Sequence, residues 1–255
     1  MILENVTRIK AEIVSICTSL GRNPEEVTLV GVTKYATVAA INEAIAAGIS
    51  HVAENKVQEA LKKYPEITSP SLTLPTGGRE YNYDSSPRSG GGKGGGITKH
   101  MIGHLQTNKV KAALEIFDVI QSVDSLKLSQ AIEKEAAKLN RPANILVEVN
   151  TSDEEQKYGV SPKEALTLVE QISELRHIRV LGLMTIGPAT EDTKAIRGCF
   201  QKLKELYAQA AEKFQGNKNI HMKYLSMGMS SDYAIALEEG SNMVRIGSAI
   251  FGKSQ

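Results

Sequence analysis

The chain has 255 residues, which suits one large domain or two small ones and suffices to bury a sizeable core. Its formal net charge is +1 and no basic block is present, which argues against nucleic-acid binding driven by phosphate charges. Cys17 and Cys199 are the only cysteines, so no disulfide framework is expected and a reducing cytoplasm is the simpler location. The charged N-terminal stretch predicts an amphipathic helix rather than a signal peptide, and without a run of about 18 apolar residues no membrane span is expected.

Short apolar runs alternate with segments of helical periodicity along almost the whole chain. A helix is expected after every run except the last, and an extra helix precedes the first. The eight runs predict β-strands at Val27–Tyr35, His51–Glu54, His100–Leu105, Val119–Val123, Ile145–Val149, Val180–Ile186, Tyr224–Met227 and Met243–Ile246.

Several residues predict where individual helices begin or end. Thr37 is expected to cap a helix that ends at Gly48. In "SPKE", Ser161 is expected as a cap, with Pro162 at the first helical position and Glu164 reaching back. A further helix is expected over Ser231–Glu239.

The order of these elements predicts the fold class. Strands that alternate with helices indicate a parallel sheet, and eight such units in about 220 residues indicate a closed (β/α)8 TIM barrel. An open doubly wound sheet is the competing interpretation. We expect a single domain over residues 1–255.

Residues 66–98 do not fit the barrel pattern because they are rich in Gly, Ser and Pro and too long for a normal connection. Gly90, Gly92 and Gly95 have G-x-G-x-x-G spacing beside Lys93, which would suggest a phosphate loop. That motif needs a strand before it and a helix after it, and the segment offers neither. The segment is therefore interpreted as a flexible insertion within the domain.

Lys34 lies at the C-terminal end of the first predicted strand, where parallel barrels place their active sites. A lysine at this place can simply extend into solvent. The alternative is a Schiff-base lysine, because walls of low polarity favour the neutral amine that attacks an aldehyde.

The ends of the seventh and eighth strands favour the second interpretation. Barrels often bind phosphate in the loops after these two strands, and small residues let phosphate approach backbone N–H groups. Arg245, in the last strand, would be costly to bury without a partner. Closure of the barrel brings these groups next to Lys34, and an aldehyde, an aromatic ring and a phosphate together indicate pyridoxal 5'-phosphate (PLP). The binding residues expected at these strand ends are Lys34, Ser226, Gly228, Met229, Ser230, Arg245, Gly247 and Ser248.

The histidines give weaker indications. His100 and His104 are four residues apart, but no cluster of cysteines or carboxylates accompanies them, so no metal site is expected. Packing or supporting roles are predicted for both. His51, His177 and His221 are expected at the edges of elements.

The motifs "VGVTKY", "AENKVQEA", "HMIGHLQTNKVK", "GLMTIG" and "LSMGMSSDYAIALEEGSNMVRIGSAIFG" resemble the pyridoxal phosphate homeostasis protein family, whose members are labelled YggS-like or PROSC-like. The resemblance covers nearly the whole chain outside 66–98. It implies a barrel similar to the N-terminal domain of alanine racemase, PLP bound through Lys34, and a part in vitamin B6 homeostasis without an established reaction.

The resemblance also implies roles for individual residues. Ser226, Gly228, Gly247 and Ser248 are implied phosphate contacts. Arg245 is the implied partner of the pyridine nitrogen, and Asn55 is implied to lie near the ring hydroxyl. The chain departs from the family pattern at Lys99 and Met101, where the family usually has Trp and Phe; the departures concern the third strand and one wall of the pocket, and not the lysine.

Three functions are compatible with these residues: a PLP carrier, a PLP-dependent racemase-like enzyme and a barrel aldolase that uses Lys34 without PLP. An arginine at the ring nitrogen keeps it unprotonated and weakens the electron sink, which favours the carrier. A racemase also needs a second acid or base, which alanine racemases take from another domain and subunit, whereas this sequence ends soon after its last strand. We expect a monomer that binds no nucleic acid and no membrane, with PLP-dependent apo-enzymes as its conceivable recipients.

Overall fold

The computed structural model describes residues 1–68, 96–152, 154 and 156–252. The chain forms a closed barrel of eight parallel strands in sequence order, and the last strand pairs with the first. The strands are β1 (Thr28–Val32), β2 (His51–Glu54), β3 (Thr98–Met101), β4 (Val119–Val123), β5 (Ala143–Glu148), β6 (Ile178–Met184), β7 (Ile220–Ser226) and β8 (Met243–Ile246). The predicted TIM barrel is therefore confirmed, and the doubly wound alternative is wrong.

Helices surround the barrel in the order that the sequence predicts. In the described ranges they are α1 (Ile2–Ser19), α2 (Val38–Ala46), α3 (Val57–Lys63), α4 (Val110–Ile116), α5 (Leu126–Lys138), α6 (Ala165–Ser173), α7 (Thr193–Lys213), α8 (Tyr233–Glu238) and α9 (Ser248–Phe251). The extra N-terminal helix α1 packs on α2, α8 and α9, so it covers the seam where β8 meets β1. The short α9 after the last strand was not expected.

Capping residues were predicted for two helices, and the structure confirms one of them. The Thr37 hydroxyl accepts the N–H of Ala40 at 3.2 Å, as predicted. Ser161 does not cap a helix: its hydroxyl donates to the Glu164 carboxylate at 2.6 Å, and α6 starts only at Ala165. The segment from Pro162 onward is a turn, so the expected helix start is wrong by three residues.

The barrel has an apolar layer on each side of its wall. The larger cluster lies between the strands and the helices, and its members include Ile9, Ile41, Ile145 and Phe200. A smaller cluster fills the interior, as packed barrels require, with Val30, Ala53, Ile102, Val119, Leu146, Met184 and Met243. Where both faces of a strand are covered, as in β4, buried and exposed side chains do not alternate along it.

The predicted insertion at 66–98 lies mostly outside the described residues. At its two ends, Glu66 closes a 3₁₀ turn and Thr98 is the first residue of β3. The prediction of a flexible segment is therefore not tested between them. In the described part of the chain, no helix has the length and apolar character that crossing a bilayer requires.

Candidate functional site

A cavity of about 580 Å³ opens at the C-terminal ends of β1 and β8. Its volume lies within the range typical of small-molecule sites, about 300–1,000 Å³. It is lined by Val32, Lys34, Tyr35, Ala36, Asn55, Ile102, Ile186, Met229, Ser230, Ser231, Arg245, Gly247, Ser248, Phe251 and Gly252. Seven of the nine predicted binding residues are in this lining, and Ser226 and Gly228 are not.

Ser226 lies beneath the cavity, fully buried in the barrel interior. Its Oγ accepts a hydrogen bond from Nη1 of Arg245 at 2.7 Å and donates to Oε1 of Gln121 at 2.7 Å. The hydroxyl is thus engaged on both sides. The expected phosphate contact of this side chain is replaced by a contact that holds Arg245.

Gly228 and Gly247 are glycines for different reasons. Gly228 has φ +97°, and an added Cβ would lie 2.6 Å from Cβ of Ala236, so the fold itself requires glycine there. Gly247 has φ −110°, and an added Cβ would lie 3.4 Å from Cβ of Val32, which is an ordinary contact. Because the protein could accommodate a side chain at Gly247, its absence keeps space open in the cavity.

Ser230 connects the loop after β7 to the loop after β8. Its Oγ accepts the N–H of Gly247 at 3.3 Å and the N–H of Ala249 at 3.2 Å. Ser248 lines the cavity between these two residues. The two N–H groups are thus bound by Ser230 itself, and the hydroxyls of Ser230 and Ser248 are donors that this end of the cavity offers to a phosphate group.

Lys34 lies in a turn and not in the strand. β1 ends at Val32, and the N–H of Ala36 bonds the carbonyl of Thr33 at 3.0 Å, so the predicted strand Val27–Tyr35 is too long. Lys34 is exposed at the rim of the cavity, with Nζ 4.8 Å from the centroid of the Tyr35 ring. The amine therefore reaches the cavity mouth from the side of β1.

A buried ion pair lies under this turn. Nζ of Lys63 is 3.2 Å from Oε2 of the fully buried Glu54, and it also donates to the carbonyls of Thr33 and Lys34 at 3.0 and 3.3 Å. Glu54 accepts in addition from the Thr33 hydroxyl and from the N–H of Asn55. The end of β2 thereby fixes the backbone that carries Lys34.

Arg245 is the charged group at the base of the cavity, and only 3% of it is exposed. Nη1 donates to Ser226, and Nη2 donates to the carbonyl of Thr185 at 2.7 Å. Burial lowers the pKa of Arg245 to about 10, while Glu148 and Asp232 act in the opposite direction. The guanidinium therefore keeps its charge at neutral pH and still has N–H donors for a ligand.

Asn55 contributes an acceptor that nothing in the described structure satisfies. Its Oδ1 is buried without a hydrogen-bond partner, although the residue lines the cavity. Buried acceptors are rarely left unpaired in folded proteins. A ligand that places a hydroxyl group against Oδ1 would satisfy it.

Glu148 ends β5 below the cavity and is 4% exposed. Burial and the charge of Asp124 raise its pKa to about 7, and Arg245 acts in the opposite direction.

Within the described residues, no group of three or more His, Cys, Asp and Glu side chains is arranged to hold a metal ion.

The histidines occupy two environments. His51 is the first residue of β2, so its prediction at the edge of an element is confirmed; it is half-buried, and its Nδ1 lies 2.9 Å from Nε2 of the fully buried His100. His104 stacks on Tyr158 with 4.0 Å between ring centroids and lies 3.6 Å from the carboxylate of Asp124.

The two departures at the third strand do not reach the cavity. β3 pairs with both β2 and β4, so its place in the barrel is regular. Met101 is buried in the layer between strands and helices, and Nζ of Lys99 lies 5.8 Å from the centroid of the Tyr64 ring. The cavity wall on this side comes instead from Ile102.

Several residues of the site were not predicted from the sequence. Tyr35 and Ile186 line the cavity and are the last residues of predicted strands, and Phe251 lies three residues after Ser248, so their position along the chain could have indicated them. Lys63 and Gln121 gave no such signal, because their partners are distant in the sequence or point into the barrel.

A neighbouring cleft of about 610 Å³ shares Ile186, Met229 and Ser231 with the cavity.

Comparison with known proteins identifies the family to which the chain belongs. Residues 6–255 match the family model described as alanine racemase, N-terminal domain. A pyridoxal phosphate homeostasis protein of Aquifex aeolicus is 36% identical over 250 residues, covering 98% of this chain and 97% of the relative. A protein of that name from Escherichia coli is 34% identical over 253 residues, covering 98% and 96%. The chain belongs to the pyridoxal phosphate homeostasis protein family.

Solved structures agree with this family and with the fold. PipY of Synechococcus elongatus, a structure with PLP bound, is 32% identical with a TM-score of 0.72, covering 94% of this chain and all of that one. An unknown protein from Bifidobacterium adolescentis has a TM-score of 0.85 at 31% identity, covering 98% and 94%. Alanine racemase of Clostridium difficile has a TM-score of 0.70 at 15% identity and shows likeness of fold alone, over 98% of this chain and 57% of that one.

Proposed function

We propose that this protein binds PLP in the cavity between β1 and β8, holds it as a Schiff base on Lys34, and serves PLP homeostasis in the cytoplasm. The observation that carries the proposal is the joint lining of one cavity by Lys34, Arg245, Gly247 and Ser248. An amine, a buried cation and a cluster of small residues are the groups that an aldehyde, a pyridine nitrogen and a phosphate require. The names of the relatives and the PLP-bound PipY structure support the same ligand.

The residues of the cavity fit this cofactor at each end. Gly247 leaves space beside Ser230 and Ser248 for the phosphate, and the unsatisfied Oδ1 of Asn55 suits the ring hydroxyl. Arg245 presents its remaining N–H donors to the ring nitrogen. When bound, the cofactor supplies an aldehyde to the amine and an aromatic ring that can accept electrons.

The residues of this chain would act as binders and positioners. Nζ of Lys34 forms a C=N bond with the aldehyde carbon, with the loss of one water molecule. Lys63 and Glu54 hold the backbone turn that places this amine at the rim. Arg245, as a permanent donor, keeps the ring nitrogen unprotonated, which disfavours carbanion chemistry and suits a carrier more than a racemase.

We further propose that the protein works as a monomer and can hand PLP to apo-enzymes. The exposure of Lys34 at the cavity rim supports this, because transfer needs an accessible C=N carbon. Neither nucleic acid nor a membrane is required as a partner, which is consistent with a net charge of +1.

The test is the visible absorption spectrum of the purified protein after addition of PLP, followed by borohydride reduction and mass spectrometry. The expected result is a yellow protein whose reduced adduct maps to the peptide that contains Lys34. Lys34→Ala should lose the adduct, whereas Lys62→Ala, a change of an exposed lysine on α3, should keep it. A protein that stays colourless with added PLP, or an adduct on another lysine, would overturn the proposal.

Catalysis is tested separately by exchange of the α-hydrogen of amino acids with deuterated solvent. We expect no exchange above that of Lys34→Ala. Exchange that depends on Lys34 would instead identify a racemase-like enzyme. An aldol cleavage activity in a protein free of PLP would indicate the aldolase.

A further inference from the structure

A chain of five polar side chains crosses the barrel interior from the cavity to the opposite end. Arg245 donates to Ser226 at 2.7 Å, and Ser226 donates to Gln121 at 2.7 Å. Nε2 of Gln121 lies 2.9 Å from Nδ1 of His100, and Nε2 of His100 lies 2.9 Å from Nδ1 of His51. The middle three side chains are fully buried, and His51 is half-buried at the start of β2.

The direction of every hydrogen bond follows from Arg245. A guanidinium can only donate, so Ser226 accepts from it and directs its own hydrogen to Oε1 of Gln121. The amide of Gln121 then donates to His100, which must accept at Nδ1 and carry its hydrogen on Nε2. That hydrogen is donated to Nδ1 of His51, so His51 also carries its hydrogen on Nε2.

Both imidazoles must be neutral for this chain to exist. Burial lowers the pKa of His51 to about 4, with a smaller contribution from the charge of Lys223 on β7. Burial also holds the pKa of His100 well below its usual value, and the neighbouring His51 and Arg245 act in the same direction. Near pH 7 both rings are therefore uncharged donors and acceptors.

The hydrogen-bonded chain contacts Arg245 on the side that faces the barrel interior, through Ser226. The charged groups that face the guanidinium are Glu148 on β5 and Asp232 before α8; in the described part of the chain, Arg245 donates a hydrogen bond to neither carboxylate. Its described hydrogen bonds go to the Ser226 hydroxyl and to the carbonyl of Thr185. A carbonyl alone leaves the guanidinium free to pivot, whereas two acceptors at fixed positions define its plane.

We infer that Gln121 and His100 are positioning residues, which orient Arg245 toward the cofactor ring through a hydrogen-bonded chain of fixed direction. The inference rests on the proposed function only for the identity of the cofactor. The direction of the chain is a property of the protein without PLP, so it can be tested even if the protein binds no PLP.

The first test uses the ¹⁵N-labelled protein without cofactor and records long-range ¹H–¹⁵N correlations of the imidazole rings at about pH 8. His51 and His100 should both be neutral with hydrogen on Nε2. His177 provides an internal contrast, because its Nδ1 lies 2.8 Å from the carboxylate of Glu133 and should carry the hydrogen. A hydrogen on Nδ1 of His51 or His100 would overturn the inference.

The second test changes the middle of the chain. In Gln121→Glu both carboxylate oxygens can only accept, so the hydrogen of His100 should move to Nδ1 or its ring should become charged. In Gln121→Met the link is absent and Ser226 no longer has a fixed acceptor, so we expect PLP to bind about tenfold more weakly, as for the loss of one hydrogen bond. The pH profile of the visible absorption of the PLP-loaded protein should shift in both variants.

Gln171→Met, a change at an exposed position of α6, is the matched control and should alter neither affinity nor spectrum. A folded Gln121→Met variant with unaltered PLP affinity and an unaltered pH profile would overturn the positioning role. Should Gln121→Met fail to fold, the tautomers of the wild-type protein together with the spectrum of Gln121→Glu decide the question.

Discussion

The ammonium group of Lys63 lies 3.2 Å from the buried carboxylate of Glu54 and 3.3 Å from the carbonyl oxygen of Lys34. One side chain thus neutralises a buried charge and holds the backbone of the proposed PLP lysine. Glu54 is fully buried, and the side chain of Lys63 is 15% exposed, so solvent screens this pair little. The stability of the barrel and the position of Lys34 are therefore coupled.

Lys63→Met should destabilise the protein and weaken PLP binding together. It leaves the charge of Glu54 buried without a partner, which typically costs about 3–5 kcal/mol. Urea unfolding measures the first effect, and PLP titration followed by visible absorption measures the second. The double change Lys63→Met with Glu54→Gln should restore much of the stability, because the buried charge is then removed as well.

The neighbouring Lys62 provides the control for this prediction. It pairs with Glu59 on the surface of α3, where its side chain is 72% exposed. Such a pair contributes about 0–1 kcal/mol, so Lys62→Met should change the free energy of unfolding little. Equal effects of the two lysine changes would show that the buried pair has no special role.

Gly247→Ala and Gly228→Ala test whether each glycine is required for PLP binding or for the stability of the fold. At Gly247 (φ −110°, ψ −81°) the φ is negative and an added Cβ would make only an ordinary contact with Val32, so we expect a loss of about 1 kcal/mol or less in unfolding free energy but about tenfold weaker PLP binding or more. At Gly228 the φ of +97° and the contact with Ala236 should cost about 2 kcal/mol or more, irrespective of PLP. Unfolding in urea without PLP, followed by PLP titration of the folded variants, checks both.

If Gly247→Ala bound PLP as tightly as the wild type, the phosphate would not occupy the space beside that residue. If it lost stability in the absence of PLP, the missing side chain would be a requirement of packing and not of the ligand. Either result would contradict the assignment of this end of the cavity to a phosphate group.

The barrel could be predicted from the sequence because strands with both faces covered give short continuous apolar runs between helical periods. The bounds of β2, β4 and β8 are those predicted. The ends of β1 and β3 were predicted too late in the chain: the turn at Thr33–Ala36 ends β1, and Ile102 and Leu105 continue apolar positions past the end of β3. At β3, the close approach of Gly103 to the backbone of Asn55 follows the end of the strand, and no sequence pattern encodes it.

The candidate site was predictable only where its residues follow strand ends. Lys34, Arg245 and the glycine–serine loops follow from the rule that barrels place their sites there. The engagement of Ser226 with Gln121 depends on two side chains that are 105 residues apart and meet inside the barrel. Sequence position specifies which strand end carries a residue, but it does not specify which of the two directions its side chain takes.

Glu148 should make the protein more stable in mild acid. Its pKa is raised from 4.5 to about 7 by burial and by Asp124, so the folded state binds a proton that the unfolded state has released. The resulting stability is fully present below pH 4.5 and is lost as the pH rises to about 7. The difference corresponds to roughly 3 kcal/mol at most.

Glu148→Gln should remove this dependence, since glutamine does not titrate. Urea unfolding at a series of pH values is the measurement, and the quantity of interest is the difference between variant and wild type. We expect the variant to gain stability relative to the wild type as the pH rises from 4.5 to 7. A constant difference across this range would show that Glu148 has the same pKa in the folded and the unfolded protein.

His51 should act in the opposite direction over an overlapping range. Burial lowers the pKa of His51 from 6.5 to about 4, so between these pH values the unfolded state binds a proton that the folded state does not bind. Stability from this group is present above pH 6.5 and is lost as the pH falls toward 4, by roughly 3 kcal/mol at most. His51→Asn keeps an acceptor for His100 and should reduce the loss, whereas His221→Asn, at an exposed position of β7, should not. Because Glu148 and His51 oppose each other, Glu148→Gln and His51→Asn should change the slope of the stability profile between pH 4.5 and 6.5 in opposite directions relative to the wild type, and changes of the same sign would contradict the assignments.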